Sequence, residues 1–398
     1  MSLADSAGAL LEAATGGGGA PDQLTLAVDG ERFAGWVKID VERSLDLFSH
    51  NFSLAYVDRW ASGNKPWPIR EGAKAQVHFG SKLIMTGRVN YGEWLVNDED
   101  WTLTSRGRSL TGDLEDCSAI YKTGHWKKAA PLTIVKNLIA DYKLTAVSAA
   151  LEALTPLARF ALQEGESVHD AIERLCKAAS LLAVTTPEGN IELVRSDIPR
   201  GRIVEVPVGS ATQRRVSTND SERFSNYYVV GQSSGNRNHN GEAVATQKDG
   251  VEDESVERHR PLVVLAEHGV AQRAQLKARA TWERNVRAGR SMRYTILIPG
   301  ALAPNKEPWT PGWHCVVKDG PLGIDDTLLL VRANIRGGSD ELMTELEFTL
   351  PEAYSMLAYP PRKKLNPKPK VDKPLVAPVC FDPSDPASAA AARRALGV

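Results

Sequence analysis

Between Leu24 and Thr104 the chain alternates apolar and polar residues in short runs, and a period of two leaves few folds open. Val37, Ile39 and Val41 fall on one side of such a run, and Lys38, Asp40 and Glu42 on the other; Phe52, Leu54 and Tyr56 repeat the pattern. Successive side chains of a strand point to opposite faces, so these runs read as half-buried strands of an antiparallel sheet. Ala75 to Phe79, Leu83 to Val89 after the Gly80-Ser81 turn, and Trp101 to Thr104 continue at the close spacing of a barrel or sandwich. The spacing predicts a first β domain over residues 22–112.

After Cys117 the period becomes helical. Pro131 suits a first helical turn, and Leu132, Val135, Leu138 and Ile139 form one apolar stripe. A second helix opens at Ser167, with Asp170 three residues on, and carries Val168, Ile172, Leu175 and Ala179 inward. Leu181 to Thr186 and Ile191 to Arg195 then read as a hairpin about the Pro187 to Asn190 turn. Residues 113–200 are thus expected to be a small α/β domain. Strand signals return in Tyr227 to Val230, Tyr294 to Ile298, Cys315 to Val317, Leu328 to Ile335 and Leu346 to Leu350, predicting a second β domain over 201–355. Inserted in it are a polar loop, 231–254, and a helix, 267–288, with Ala271, Ala274, Ala278, Trp282 and Val286 on one face and Arg273, Lys277, Arg284 and Arg287 on the other. Residues 1–21, rich in Ala and Gly, are expected to be a flexible N-terminal arm, and 356–398, rich in Pro and Lys, an extended C-terminal one.

Forty-eight Lys and Arg against 49 Asp and Glu give a net charge of -1, so no global field draws the chain to nucleic acid or to an anionic membrane. Cys117, Cys176, Cys315 and Cys380 lie far apart, without a CxxC pair, and read as buried thiols of a reducing cytoplasm. The first residues lack a basic start, unlike a secretory signal, and no apolar run approaches the ~18 residues that span a bilayer. Two Asn-x-Ser matches, at Asn51 and Asn219, carry no meaning without secretion.

Patterns that carry chemistry are weak. Gly231-Gln232-Ser233-Ser234-Gly235 fits G-x-S-x-G, but the following Asn236 to Gly241 cannot open the apolar-faced helix that a nucleophile elbow requires. Asp113, Glu115 and Asp116 lie in one turn, where carboxylates pair with neighbours such as Arg106 or Arg108 more readily than they straddle a glycosidic bond. His314 beside Cys315 sits in a strand, where adjacent side chains diverge, and no HExxH, phosphate-loop or dinucleotide pattern precedes a helix. No catalytic residue, metal or cofactor is expected.

Gly107 to Tyr121, with Gly124-His125-Trp126-Lys127, closely resembles the corresponding run of baseplate hub proteins from Mu-like contractile phages. Asp29 to Trp36, Glu164 to Val168, Arg223 to Tyr227 and Arg258 to Leu262 agree with that family in the same order, so the resemblance covers roughly residues 24–355. It implies a mixed β architecture with α/β insertions: two related β-barrel domains per chain, and three chains closing into a homotrimeric ring that mimics the sixfold tail tube. It also implies a structural protein with no reaction to catalyse, located in the virion baseplate after assembly in the host cytoplasm. The implied partners are a central spike, a tail tube or distal tail protein and other baseplate proteins, with DNA passing through the channel unbound and no membrane insertion. The Gly107 to Lys128 run falls where the first β domain gives way to the α/β unit, so Gly107, Arg108, Asp113, Asp116 and Trp126 are the candidate residues of a structural junction. The rival from another class is a tail-associated peptidoglycan hydrolase, which would need an acid of raised pKa in a cleft. A nucleic-acid module built on the 267–288 helix ranks last at this net charge.

Overall fold

The computed structural model describes residues 23–58, 69–96, 101–148, 150–179, 181–195, 203–231, 247–265, 273–338 and 341–354. The expected arms, the 232–246 part of the polar loop, Gln232 to Gly235 of the G-x-S-x-G match and the first turn of the 267–288 helix lie outside the described residues. No helix among the described residues is long and apolar enough to cross a membrane.

The alternating N-terminal runs form β1 (Leu24–Val28), β2 (Glu31–Phe33), β3 (Lys38–Ser44), β4 (Asn51–Asp58), β5 (Lys74–Phe79), β6 (Lys82–Val96) and β7 (Trp101–Ser109). A short helix, α1 (Gly112–Asp116), leads into β8 (His125–Ala129), α2 (Pro131–Ile139), β9 (Ala146–Val147), α3 (Leu151–Leu154), β10 (Leu157–Ala161), α4 (Val168–Ala179), β11 (Leu182–Thr185) and β12 (Ile191–Val194). Strands β13 (Val204–Glu205) and β14 (Gln213–Thr218) precede β15 (Asn226–Gly231), β16 (Gln247–Glu252), β17 (Pro261–Leu265) and helix α5 (Arg273–Arg290). The last strands are β18 (Met292–Pro299), β19 (His314–Asp319), β20 (Ile324–Gly337) and β21 (Leu342–Thr349).

Two related β-barrel domains were the expectation; the two β units share one sheet of 13 strands. Its path runs β14-β18-β21-β20-β3-β4-β7-β6-β5-β1-β2 and does not close on itself among the described residues. The reason is the length of β20. Its first half pairs with β19, while its second half, from Arg332 to Gly337, pairs antiparallel with β3 and so carries the hydrogen bonding from one unit into the other. β6 has the same design: its first half pairs with β5, and only its second half is left to extend the sheet.

The halves correspond strand for strand. β3, β4, β7, β6 and β5 follow one another by antiparallel pairing, as do β14, β18, β21, β20 and β19. A bulge interrupts each long strand at the equivalent place, at Asn90 between Val89 and Tyr91 in β6 and at Val331 between Leu330 and Arg332 in β20. A bulge bends its strand and raises the local twist, which suits the point where the strand changes partners.

Each half centres on its own core, and the first also takes in Ala301 and Ile335 from the second. Trp36, Val41, Leu54, Val77 and Met85 are packed in the first, and Tyr294, Trp309, Leu330, Leu346 and Phe348 in the second. Val37, expected inside, is 48% exposed, so the inward set of β3 is Ile39, Val41 and Arg43. Between the halves, α2 and α4 pack on β9, β11 and β12 around Ile134, Ile139, Ile172 and Leu193. The α4 start is as expected: Ser167 Oγ accepts from Asp170 N at 3.0 Å, and Asp170 Oδ2 accepts from Ser167 N at 3.3 Å. Cys117, expected to be buried, is exposed, because it follows α1 at the surface; Cys176 and Cys315 are buried.

Tyr227 to Val230 does not join the large sheet. It forms the middle of a separate three-stranded sheet, β16-β15-β17, against which α5 packs Leu276 and Ala280 over Tyr227 and Val229. The buried face of α5 is rotated from the expected one. Leu276, Ala280, Glu283 and Val286 point inward, while Trp282 is partly exposed under the Arg279 guanidinium, 4.4 Å from its ring.

Leu54 has no exposed surface and Ser53 beside it faces the other way. Leu54→Ala should therefore lower stability by about 2–5 kcal/mol through lost burial and a cavity, and Ser53→Ala by less than about 0.5 kcal/mol. Urea midpoints measured side by side check this; equal midpoints would contradict the assignment of faces.

Candidate functional site

Gly107 lies toward the C-terminal end of β7, opposite Phe52 on one side and Val89 on the other. A Cβ there would stand 2.2 Å from the Arg88 carbonyl oxygen and 2.4 Å from the Phe52 ring, so only glycine fits. Gly87 is its counterpart on β6, where a Cβ would meet the Arg108 carbonyl oxygen at 2.0 Å. Two glycines thus let β6 and β7 approach closely above the first core.

Arg108, next along β7, faces the outer side and grips α1. Its Nη1 donates to Asp116 Oδ1 at 3.2 Å and its Nη2 to Asp116 Oδ2, while Glu115 Oε2 lies 3.5 Å away. The hydrogen bond from Arg108 holds the Asp116 carboxyl below the usual range. Glu115 turns the other way as well, accepting from Ser49 N at 3.0 Å and from Ser49 Oγ at 2.5 Å. Two acids of this turn therefore tie α1 down, Asp116 to β7 and Glu115 to the β3–β4 connection. Asp113 is the least engaged, 3.9 Å from Arg88, and Arg106 pairs with Glu93 and not with this turn. Trp126 sits farther off, on β8 opposite Phe160, stacked on Tyr121 with ring centroids 4.9 Å apart. The structure thus brings Gly107, Arg108, Asp113 and Asp116 together and leaves Trp126 to the core of the intervening unit.

The residues that bind the units together most tightly are others. Thr111 has no exposed surface; its hydroxyl donates to the Phe48 carbonyl at 3.1 Å and meets Ser109 Oγ at 2.8 Å and Thr185 Oγ1 at 3.0 Å. Thr185 Oγ1 donates to the same carbonyl at 2.6 Å, so three hydroxyls and one carbonyl link β7, the β3–β4 connection and β11. Beside them Arg43 points into the interior, where Nη2 donates to the Trp309 carbonyl and Nη1 to the Ile84 carbonyl at 3.4 Å. Both partners are carbonyl oxygens, and no carboxylate pairs with this buried cation among the described residues. Burial lowers the Arg43 pKa to about 10, which leaves it charged at neutral pH. His50, adjacent, is pushed down to about 3 by burial first and by the Arg43 charge second, against a hydrogen bond with the Thr185 backbone. A gap lined by Arg43, His50, Thr185 and Thr310 marks the place where all three units meet. The one signal in the sequence was Arg43 itself, a charge in the inward register of Ile39 and Val41.

On the opposite, solvent-facing side, Asp40, Glu42, Ser53, Asn90, Arg106 and Arg108 line a shallow groove of about 390 Å³. It continues across the seam as a lattice of ion pairs: Arg332 reaches Glu42 at 3.2 Å, Glu347 at 3.3 Å and Glu345, and Arg336 reaches Glu345 at 3.3 Å. Every carboxylate whose pKa is displaced among the described residues is displaced downward. Asp116 is held there by Arg108, and Asp170 by Ser167; at Asp253 burial acts upward and hydrogen bonds from Ser255 and Arg223 outweigh it. No group of His, Cys, Asp and Glu suited to a metal ion occurs among the described residues.

Three family models match in tandem: the N-terminal domain of Mu phage baseplate assembly protein GpP-like over residues 23–109, the second domain of baseplate hub protein gp44-like over 111–195, and the third domain of tail protein NMB1110-like over 223–281. The baseplate hub protein gp44 of Escherichia phage Mu is 26% identical over 315 residues, which are 77% of this chain and 82% of that protein. The 43 kDa tail protein of prophage MuSo2 from Shewanella oneidensis superposes with a TM-score of 0.74 at 22% identity, over 84% of this chain and all of the other. The tail protein from Neisseria meningitidis MC58 gives 0.70 at 21% identity, over 85% and 99% of the two chains.

His50 supplies a pH signature. Its folded pKa is depressed below the unfolded value of about 6.5, so its neutral form's contribution is complete above that value and is lost as pH falls toward 3, by up to about 1.4 kcal/mol per unit. Stability measured by denaturant between pH 6.5 and 4 should fall more steeply for the natural protein than for His50→Asn. Parallel slopes would refute the buried-neutral assignment.

Proposed function

We propose that the chain is a baseplate hub protein like those of Mu-like contractile phages, and that three copies close into a ring joining the sixfold tail tube to a threefold central spike. Its work is structural. The single observation that carries the ring is the shape of the sheet: eight consecutive antiparallel strands, from β14 to the second half of β6, end in two strands that have no further partner among the described residues. Two corresponding four-strand halves per chain supply six around a trimer, which suits a sixfold neighbour.

The solvent-facing side of those eight strands is the proposed lining of the DNA channel. Several of its arginines are already paired, Arg108 with Asp116 of α1, Arg332 with Glu42 and Glu347, and Arg293 with Glu347. Guanidinium groups already engaged by carboxylates release few counterions when a phosphate comes near, so DNA passes such a wall without being held. The Pro/Lys-rich stretch 356–398 is proposed to contact neighbouring baseplate proteins. The hydrolase reading fares worse, since it requires an acid held protonated, and the displaced carboxylates are displaced the other way.

Mass measurement in solution should find a species near three times 43.3 kDa, and averaged images a hollow ring. A stable single chain at micromolar concentration would sink the proposal.

A further inference from the structure

In the small three-stranded sheet, Tyr227 and Val229 of β15 face α5, and Leu262 and Val264 of β17 pack with them. The register of β15 and β17 sets Tyr228 opposite Val263 and Val230 opposite Leu265 on the other side of the sheet. That side is apolar and poorly covered. The Lys248 ammonium, 3.9 Å from the Tyr228 ring, shields its β16 flank, but toward β17 Val263 is 57% and Leu265 79% exposed. β17 pairs with β15 alone among the described residues, so its outer edge also presents unpaired backbone groups. Apolar side chains beside an open edge are what an added strand covers.

We propose that Leu375 to Val379 of the same chain adds to this edge as a fourth strand, parallel to β17. Three observations point to this occupant. The described chain ends close by: Arg290 lies over the Tyr354 ring, and one helical turn earlier Arg287 shares the Phe224 ring with Arg260, the residue before β17. The stretch from Ser355 to Pro374 reaches about 60 Å at the rise of a polyproline helix, more than this path requires. Charge guides the approach. Residues 362–373 carry Arg362, Lys363, Lys364, Lys368, Lys370 and Lys373 against Asp372. Glu254 and Glu257 are exposed on the β16–β17 connection, at the end of the sheet nearer Tyr354, and neither has a basic partner among the described residues.

Proline spacing is the third observation. Successive N–H groups of an extended strand point to opposite sides, so Pro374 and Pro378 lie on one side, and Leu375, Ala377 and Val379 keep their N–H groups on the other. Such a segment pairs along one edge only, and its prolines stop a further strand from adding. The proposal is independent of the ring and leaves Phe381 to Val398 for neighbouring proteins.

Hydrogen–deuterium exchange of the full chain, followed in fragments that cover residues 261–265, tests it. Ala377→Pro removes an N–H on the pairing side and should speed exchange of β17 on the order of tenfold. Val376→Pro, on the side of the existing prolines, should leave the natural rate. Deleting residues 362–398 should match Ala377→Pro, and a synthetic Lys373–Phe381 peptide added in excess should restore slow exchange. Equal exchange in the natural and truncated chains overturns the proposal, because something else then covers β17 or nothing does. So does a loss of protection as large for Val376→Pro as for Ala377→Pro.

Discussion

Hydrogen bonding between β20 and β3 is the interaction on which the rest of the molecule depends. Without it the chain would be two small β units with separate cores, each ending in an open edge. With it they share a sheet, and their relative orientation is set by a row of backbone bonds and not by a linker. The Arg332 lattice works on the outer side of the same seam, where Glu42 comes from β3 and Glu345 and Glu347 from β21, the strands on either side of β20. Partly exposed pairs of this kind contribute little one at a time. Sharing one guanidinium among three carboxylates favours one register over its neighbours, since a slip of one residue would turn the arginine into the core.

Below the seam the cost of orientation is met differently. Arg43 is a buried cation held only by carbonyl dipoles of Trp309 and Ile84, which belong to the two β units. A buried charge without a carboxylate is expensive to keep, and removing its acceptors is more expensive still. Moving one unit against the other would do just that, so the arginine penalises misalignment. Thr111 and Thr185 extend the arrangement to the intervening unit through the Phe48 carbonyl. Three parts of the chain are thereby fixed about one small polar centre.

Much of this was legible in the sequence because a period of two is hard to mistake. The inward faces of β3 to β7, the Ser167 cap of α4 and the 181–195 hairpin all follow from local pattern. What failed was whatever depends on partners far along the chain. β16 carries Gln-Lys-Asp-Gly-Val-Glu, a polar string that becomes a strand only because β15 offers it an edge. The buried face of α5 was misjudged because Glu283 lies on it, and a glutamate reads as outward; its charge is answered by Arg279 at 3.1 Å and Arg287 at 3.3 Å. Gly107 and Arg108 were singled out by resemblance, and their physical roles, a close strand approach and a grip on α1, appear only in three dimensions. Arg43 and His50 escaped because nothing local distinguishes a buried arginine from a surface one except its register.

The sequence of β14, Gln-Arg-Arg-Val-Ser-Thr, also bears on which symmetry the chain can adopt. Arg214 turns inward to the buried Asp319 at 3.1 Å, so it is the outward Arg215 that would oppose its like if two copies met edge to edge through β14. The same strand meets no such opposition from an edge that carries Glu93. A sheet edge is ordinarily indiscriminate, since every backbone offers the same groups. Here a single outward arginine makes a six-residue strand selective, matching it better to an edge that carries a carboxylate than to a copy of itself.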